Sequence, residues 1–218
     1  MAVSSTQPPR RVDALLFDLG QVLIGLCPER TAVHWGVSPD LATPALLERI
    51  HRMPAYLRHE TGHADWPEFA DALRDELAIE TPNDRLLAGW MALLGAPVSG
   101  MQALLRRAAV RWPLFLLTNT NAEHQPVWQE RCAGMLALFE QQFISCEIGL
   151  RKPDATCFRH VVAETGVPAE RMLFFDDSLT NVEGAAAIGL QAVQVMSVAC
   201  VERALVPRGL AASEADPV

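Results

Sequence analysis

Five short apolar runs constrain what this chain can fold into. They are ALLF (14–17), LFLL (114–117), FISC (143–146), MLFF (172–175) and QAVQV (191–195). Each is brief, and most are apolar throughout, the pattern of parallel strands covered on both faces. Helical patterns separate them. In DATCFRHVVAETG, Phe158, Val161, Val162 and Thr165 recur at helical spacing, and Gly166 is a natural stop. TNVEGAAAIG predicts a short helix of small residues ending at Gly189. Strands alternating with helices predict an α/β fold, a Rossmann-like, doubly wound parallel sheet.

The interval between the first two runs breaks this rhythm, because residues 25–100 contain no convincing strand pattern. HADWPEFADALRDELA is amphipathic, with Asp65 as N-cap, Pro67 in the first turn and Phe69, Leu73 and Leu77 on one face. TPNDRLLAGWMALLG repeats the design, with Thr81 as cap and Leu86, Leu87, Trp90 and Leu94 inward; SPDLATPALLERIHRM supplies another helix. Residues 25–100 are therefore expected to form a helical cap inserted into an α/β core of residues 11–24 and 101–205, with loose tails at 1–10 and 206–218. Trp35, Trp66 and Trp90 belong to the core of that cap rather than to an interface, and the chain is expected as a monomer or homodimer.

A formal net charge of -8 argues against a nucleic-acid partner or an acidic membrane surface. No apolar run approaches the ~18 residues that span a bilayer, and MAVSSTQPPRR lacks an apolar signal core, so a cytoplasmic location is expected. The five cysteines, Cys27, Cys132, Cys146, Cys157 and Cys200, are odd in number and show no CxxC spacing, which fits reduced thiols and no zinc site.

In open α/β sheets, sites form beyond the carboxyl ends of the strands. Asp18 follows the first run, Thr118 and Asn119 the second; Lys152 lies a short loop beyond the third, and Asp176 and Asp177 follow the fourth. Taken singly these have structural readings. Asp177 or Ser178 can N-cap a helix, Thr118 and Asn119 can stabilise a turn, and Lys152 can be a solvated surface lysine. Together they bring carboxylates, a hydroxyl, an amide and an ammonium to one sheet edge. Carboxylates with a carbonyl oxygen make a hard oxygen site suited to Mg²⁺. A carboxylate beside that ion can attack phosphorus, while Thr118 and Lys152 offer a hydrogen bond and a positive charge to phosphoryl oxygens.

In order and spacing these segments resemble the haloacid dehalogenase-like hydrolase superfamily, mainly phosphatases. FDLGQVL resembles its first motif, LLTNTN its second, GLRKPD its third and FFDDSLTNVEGA its fourth. The resemblance implies Asp18 as nucleophile, Thr118, Asn119 and Lys152 at the phosphate, and Mg²⁺ on Asp18, the Gly20 carbonyl and Asp177. Asp176 and Asn181 would stand just behind. The helical insertion resembles a C1-type cap, and the run as a whole looks most like a bacterial group that includes an α-glucose-1-phosphate phosphatase. YLRHETG (56–62) is then the segment expected to set specificity, with Arg58, His59 and Glu60 as candidates.

The departure from the family pattern is Gly20. Phosphatases of this superfamily usually carry there an acid that protonates the leaving alcohol. Three readings stay open. The first is a Mg²⁺-dependent phosphatase acting on a small phosphate monoester, a sugar phosphate above all, through an aspartyl-phosphate on Asp18. Its proton would come from water, a cap residue such as His59, or the substrate. The second is a metal-independent 2-haloacid dehalogenase, whose halide leaves without a proton. The third is a catalytically weak protein that binds a phosphorylated metabolite.

Overall fold

In the computed structural model, residues 10–37 and 44–211 are described. A five-stranded parallel sheet forms the centre, from β1 (Ala14–Phe17), β4 (Leu114–Thr118), β5 (Gln141–Ile144), β6 (Met172–Asp176) and β7 (Gln191–Gln194), in the order β5-β4-β1-β6-β7. The strands are apolar throughout because both faces are covered. Leu15, Phe17, Leu114, Leu116, Leu173 and Phe175 point to one face, into a core completed by α6 (Met101–Ala109), α7 (His124–Leu136) and α11 (Val198–Leu205). Ala14, Leu16, Phe115, Leu117, Met172 and Phe174 point to the other, onto α9 (Ala155–Thr165) and α10 (Leu179–Ala187). The period-2 alternation of a strand thus sorts one unbroken apolar run into two cores.

Between β1 and α6 the described residues form five helices: α1 (Pro28–Trp35), α2 (Pro44–His51), α3 (Pro54–Glu60), α4 (Trp66–Leu77) and α5 (Asn83–Ala92). They share a separate core that includes Trp35, Tyr56, Phe69, Leu73, Leu86 and Trp90, with Trp66 packed against it. Asp65 caps α4 as expected, accepting the Glu68 N–H at 3.0 Å. Thr81 does not cap α5: its hydroxyl donates to the Trp35 carbonyl at 2.8 Å, and the helix starts after Pro82.

Two strands lie in the interval where none was expected. β2 (Ile24–Leu26) and β3 (Leu94–Pro97) pair antiparallel at the junction between the inserted helices and the core. Leu94, expected on a helix, belongs to β3. Each strand is too short to carry a periodic signal, and each finds its partner some seventy positions away. The expected strand at 143–146 sits two residues earlier, because Ser145 opens α8 (Ser145–Ile148). Its hydroxyl donates to the Glu60 carbonyl at 2.6 Å and receives the Thr120 N–H at 2.8 Å. Residues 206–211, expected to be loose, include a 3₁₀ turn at Val206–Arg208 and a buried Leu210. The expected tails at 1–9 and 212–218 lie outside the described residues. All five cysteines are free, and among the described residues no helix is long and apolar enough to cross a membrane.

Candidate active site

A cavity of about 440 Å³ lies between the carboxyl edge of the sheet and the inserted helices. On the sheet side it is lined by Asp18, Gly20, Thr118, Asn119, Lys152, Asp177 and Asn181. The strand ends deliver these groups. Asp18 is the first residue past β1, its N–H bonded to the Phe175 carbonyl of β6 at 2.9 Å. Thr118 and Asp176 are the last residues of β4 and β6.

Lys152 organises the site. Its ammonium is 1% exposed and donates to Asp18 Oδ1 at 2.5 Å and to Asp176 Oδ2 at 2.7 Å. Burial by itself would lower its pKa, but Asp176 and Asp18 outweigh burial and hold the lysine charged well above its ordinary range. The chain around it is fixed by Asn119. That side-chain amide donates to the Lys152 carbonyl and accepts the Lys152 N–H, both at 2.9 Å. Asn119, expected at the phosphate, thus spends its amide on the lysine's backbone. Thr118 is buried, and its hydroxyl makes only a long 3.5 Å contact to the Asn119 carbonyl, which leaves it available to a ligand.

Asp176 is fully buried and fully engaged. Besides Lys152 it accepts from the Ser178 N–H at 2.8 Å and from Asn181 Nδ2 at 3.0 and 3.1 Å. Asp177, half-buried, lines the cavity. Oxygens of Asp18, Asp176 and Asp177 all lie within 4.8 Å of one another. One ammonium does not balance three carboxylates. Burial pushes Asp18 up to about 7, with Asp176 reinforcing and Lys152 opposing, and Asp177 is raised by burial and by Asp176. An all-oxygen set with surplus negative charge fits a hard divalent cation.

Gly20 is not demanded by the backbone. A Cβ there would meet Asp18 Oδ2 at 3.9 Å and Leu26 Cδ1 at 4.0 Å, ordinary contact distances. Gln21 is the residue that takes the left-handed conformation (φ 55°) in the turn from β1 to β2, its side chain accepting the Leu26 N–H at 3.0 Å.

The inserted helices supply the facing wall. Of the three expected specificity residues, Glu60 alone lines the cavity; it accepts the Tyr56 hydroxyl at 2.5 Å and Arg151 Nε at 2.6 Å. His59 turns away, bonded to Glu123 at 2.7 Å and stacked on Phe69. Arg58 points to solvent and pairs with Glu68 at 3.0 Å. Sequence reasoning passed over His51, Tyr56, Trp90, Arg151, Asn121 and His124, which also line the cavity. Arg151 adjoins Lys152 in GLRKPD, Asn121 closes LLTNTN and Tyr56 opens YLRHETG, so their positions were visible; His51 and His124 carry no local signal. His124 and Trp90 join core to cap. The His124 ring stacks on Trp90 at 4.7 Å, Nε2 donates to the Trp90 carbonyl at 2.8 Å, and Nδ1 accepts from Asn121 Nδ2 at 3.3 Å. Burial lowers this imidazole to about 4, so it is neutral.

The arrangement joins a buried carboxylate, a buried lysine, a hydroxyl with only one long contact and a cluster of carboxylate oxygens at the floor of one cavity. In sequence and fold the chain is similar to known proteins. The model of haloacid dehalogenase-like hydrolases matches residues 12–189. The drimenol cyclase drtB of Aspergillus calidoustus is 38% identical over a match that covers 84% of this chain; the chain spans about a third of that enzyme, 34% of its length. The sesquiterpene phosphatase astK of Aspergillus oryzae is 34% identical, with 81% of this chain and 86% of that protein covered. Flavin mononucleotide hydrolase 1 of Arabidopsis thaliana is 30% identical, with 83% and 71% covered. Among solved structures, a haloacid dehalogenase family enzyme of Bacteroides thetaiotaomicron in complex with magnesium and inorganic phosphate superposes with a TM-score of 0.71 at 24% identity, over 86% of this chain and 95% of that one. The family pattern runs from before the first strand to the end of the helix after the fourth motif, and the chain belongs to the haloacid dehalogenase-like hydrolases.

Proposed function

We propose that the chain is a Mg²⁺-dependent phosphatase that hydrolyses a small phosphate monoester through an aspartyl-phosphate on Asp18. The observation that carries this reading is the buried Asp18–Lys152–Asp176 arrangement beside Asp177 at the cavity floor. Lys152 holds Asp18 in place and, with Thr118, offers donors to the phosphoryl oxygens. Asp18, the Gly20 carbonyl and Asp177 would hold Mg²⁺; Asp176 is committed to Lys152, Ser178 and Asn181 and positions rather than ligates. When bound, the ion neutralises the carboxylates and draws charge from the phosphoryl oxygens. Asp18 then attacks phosphorus in line, the alcohol departs, and water hydrolyses the acyl-phosphate. A metal-independent dehalogenase would leave Asp177 without a task.

The wall above the floor is mixed. Ile24, Leu26, Trp90, Leu93 and Leu94 give it an apolar side, with His51, Tyr56, Glu60 and Arg151 opposite in character. An alcohol with an apolar face fits this lining better than the sugar expected from the sequence, and the similarity to a sesquiterpene phosphatase points the same way. A panel of prenyl, sugar and nucleotide phosphates with Mg²⁺, run on wild type and Asp18→Asn, tests the reading. Phosphate release that needs both Mg²⁺ and Asp18 is expected, with prenyl phosphates ahead of sugar phosphates. No release from any ester overturns it.

A further inference from the structure

Gly20 leaves the leaving alcohol without the usual source of a proton. In an in-line displacement, attacking and leaving oxygens lie on opposite sides of phosphorus. Asp18 attacks from the sheet side, so the leaving oxygen faces the wall that the inserted helices supply. Among the described residues, the titratable side chains of that wall are His51, Tyr56 and Glu60. Two are already committed: Tyr56 donates to Glu60, and Glu60 also accepts from Arg151. His124 uses both ring nitrogens, and His59 faces Glu123 outside the cavity. His51, the last residue of α2, lies with its ring 4.8 Å from that of Tyr56, and neither of its ring nitrogens has a hydrogen-bond partner among the described residues.

We propose that His51 is the acid–base catalyst that replaces the missing carboxylate, an inference that rests on the phosphatase reading above. Its imidazolium gives a proton to the leaving oxygen as Asp18 bonds to phosphorus and the phosphorus–oxygen bond of the ester breaks. The neutral imidazole then takes a proton from the water that enters where the alcohol left, as the bond from phosphorus to Asp18 breaks. The cycle consumes ester and water, releases alcohol and phosphate, and restores the imidazolium.

The groups facing His51 are Tyr56 and Glu60 of α3 and Arg151 of the loop before α9. His51 is an exposed residue, yet desolvation by the surrounding protein lowers its imidazole below the ordinary range, with Glu60 opposing and Arg151 reinforcing. The acid step therefore fades as pH rises through a value below the usual ~6.5 of histidine.

The test compares p-nitrophenyl phosphate, whose leaving group needs no proton, with n-hexyl phosphate, whose leaving group does, both with Mg²⁺. His51→Gln is expected to lower kcat/KM for hexyl phosphate by ~10² or more, and for p-nitrophenyl phosphate by less than about threefold. A retained first-turnover burst of p-nitrophenol, which precedes the step in which His51 acts as base, also shows that the variant folds. Adding Gly20→Asp to His51→Gln is expected to restore hexyl phosphate hydrolysis. In wild type, the pH profile for hexyl phosphate alone should show a descending limb below about pH 6.5. Equal losses on the two substrates, no loss, or identical wild-type profiles overturn the assignment of His51 and leave the phosphatase reading standing. Wild type that hydrolyses neither ester overturns both.

Discussion

Acidification should loosen the seam between cap and core through His124. This imidazole is buried, donates from Nε2 to the Trp90 carbonyl and accepts at Nδ1 from Asn121. Protonation would place two donors face to face and put a charge in an apolar setting. Its pKa is lowered to about 4 in the fold, against ~6.5 in the unfolded chain. Between these values the unfolded chain binds more protons, so stability is fully present above about pH 6.5 and is lost as pH falls toward about 4. Linkage gives a loss of about 2 kcal/mol on going from about pH 7.5 to about pH 5, approaching about 3 kcal/mol near pH 4. The assay is urea unfolding across that range for wild type and His124→Gln, whose amide can still donate to Trp90. Other titrating groups contribute alike to both proteins, so the difference between the two slopes isolates His124. Wild type should lose about 2 kcal/mol more than the variant by about pH 5. Parallel curves would refute a neutral, doubly bonded His124.

Three substitutions probe the floor of the site. Lys152→Ala leaves clustered carboxylates without their ammonium, and should cost about 3–5 kcal/mol in EDTA by chemical unfolding, with Mg²⁺ restoring part of it; unchanged stability would mean that the lysine is not their counter-charge. Gly184→Ala would place a Cβ 2.6 Å from the Pro153 carbonyl oxygen. The loop carrying Lys152 must then shift, with an expected loss of about 1–3 kcal/mol and a fall in kcat; wild-type stability and turnover would refute that close approach. Gly20→Asp meets only ordinary contacts, so the variant should fold, and its rate on alkyl phosphates should rise modestly while His51 is present; a variant that does not fold would contradict the open space seen beside Asp18.

Much of the core was legible because its signals are local. An apolar run that ends in Asp18, Thr118 or Asp176 shows both a buried strand and the group carried at its end. What could not be read depends on tertiary contacts. Asn119 sits beside Thr118 in sequence, yet its amide clamps the Lys152 backbone, thirty-three positions away. β2 and β3 are a few residues each, and their pairing closes the ends of the whole insertion. Arg58, His59 and Glu60 are consecutive on α3, so their side chains fan out at about 100° intervals. One meets solvent, one meets Glu123 and one reaches the cavity, and a single turn of helix carries too little pattern to set that phase. His51 was hidden for the same reason, since its place beside Tyr56 comes from packing between helices.

The central claim is a covalent phosphoryl intermediate on Asp18. Rapid acid quenching during turnover of p-nitrophenyl phosphate with Mg²⁺, followed by mass spectrometry of the proteolysed chain, tests it directly. A phosphorylated peptide with the added group on Asp18 is expected, absent in EDTA and absent from Asp18→Asn. Steady turnover with no phosphorylated peptide, or phosphorylation at any other residue, would contradict it.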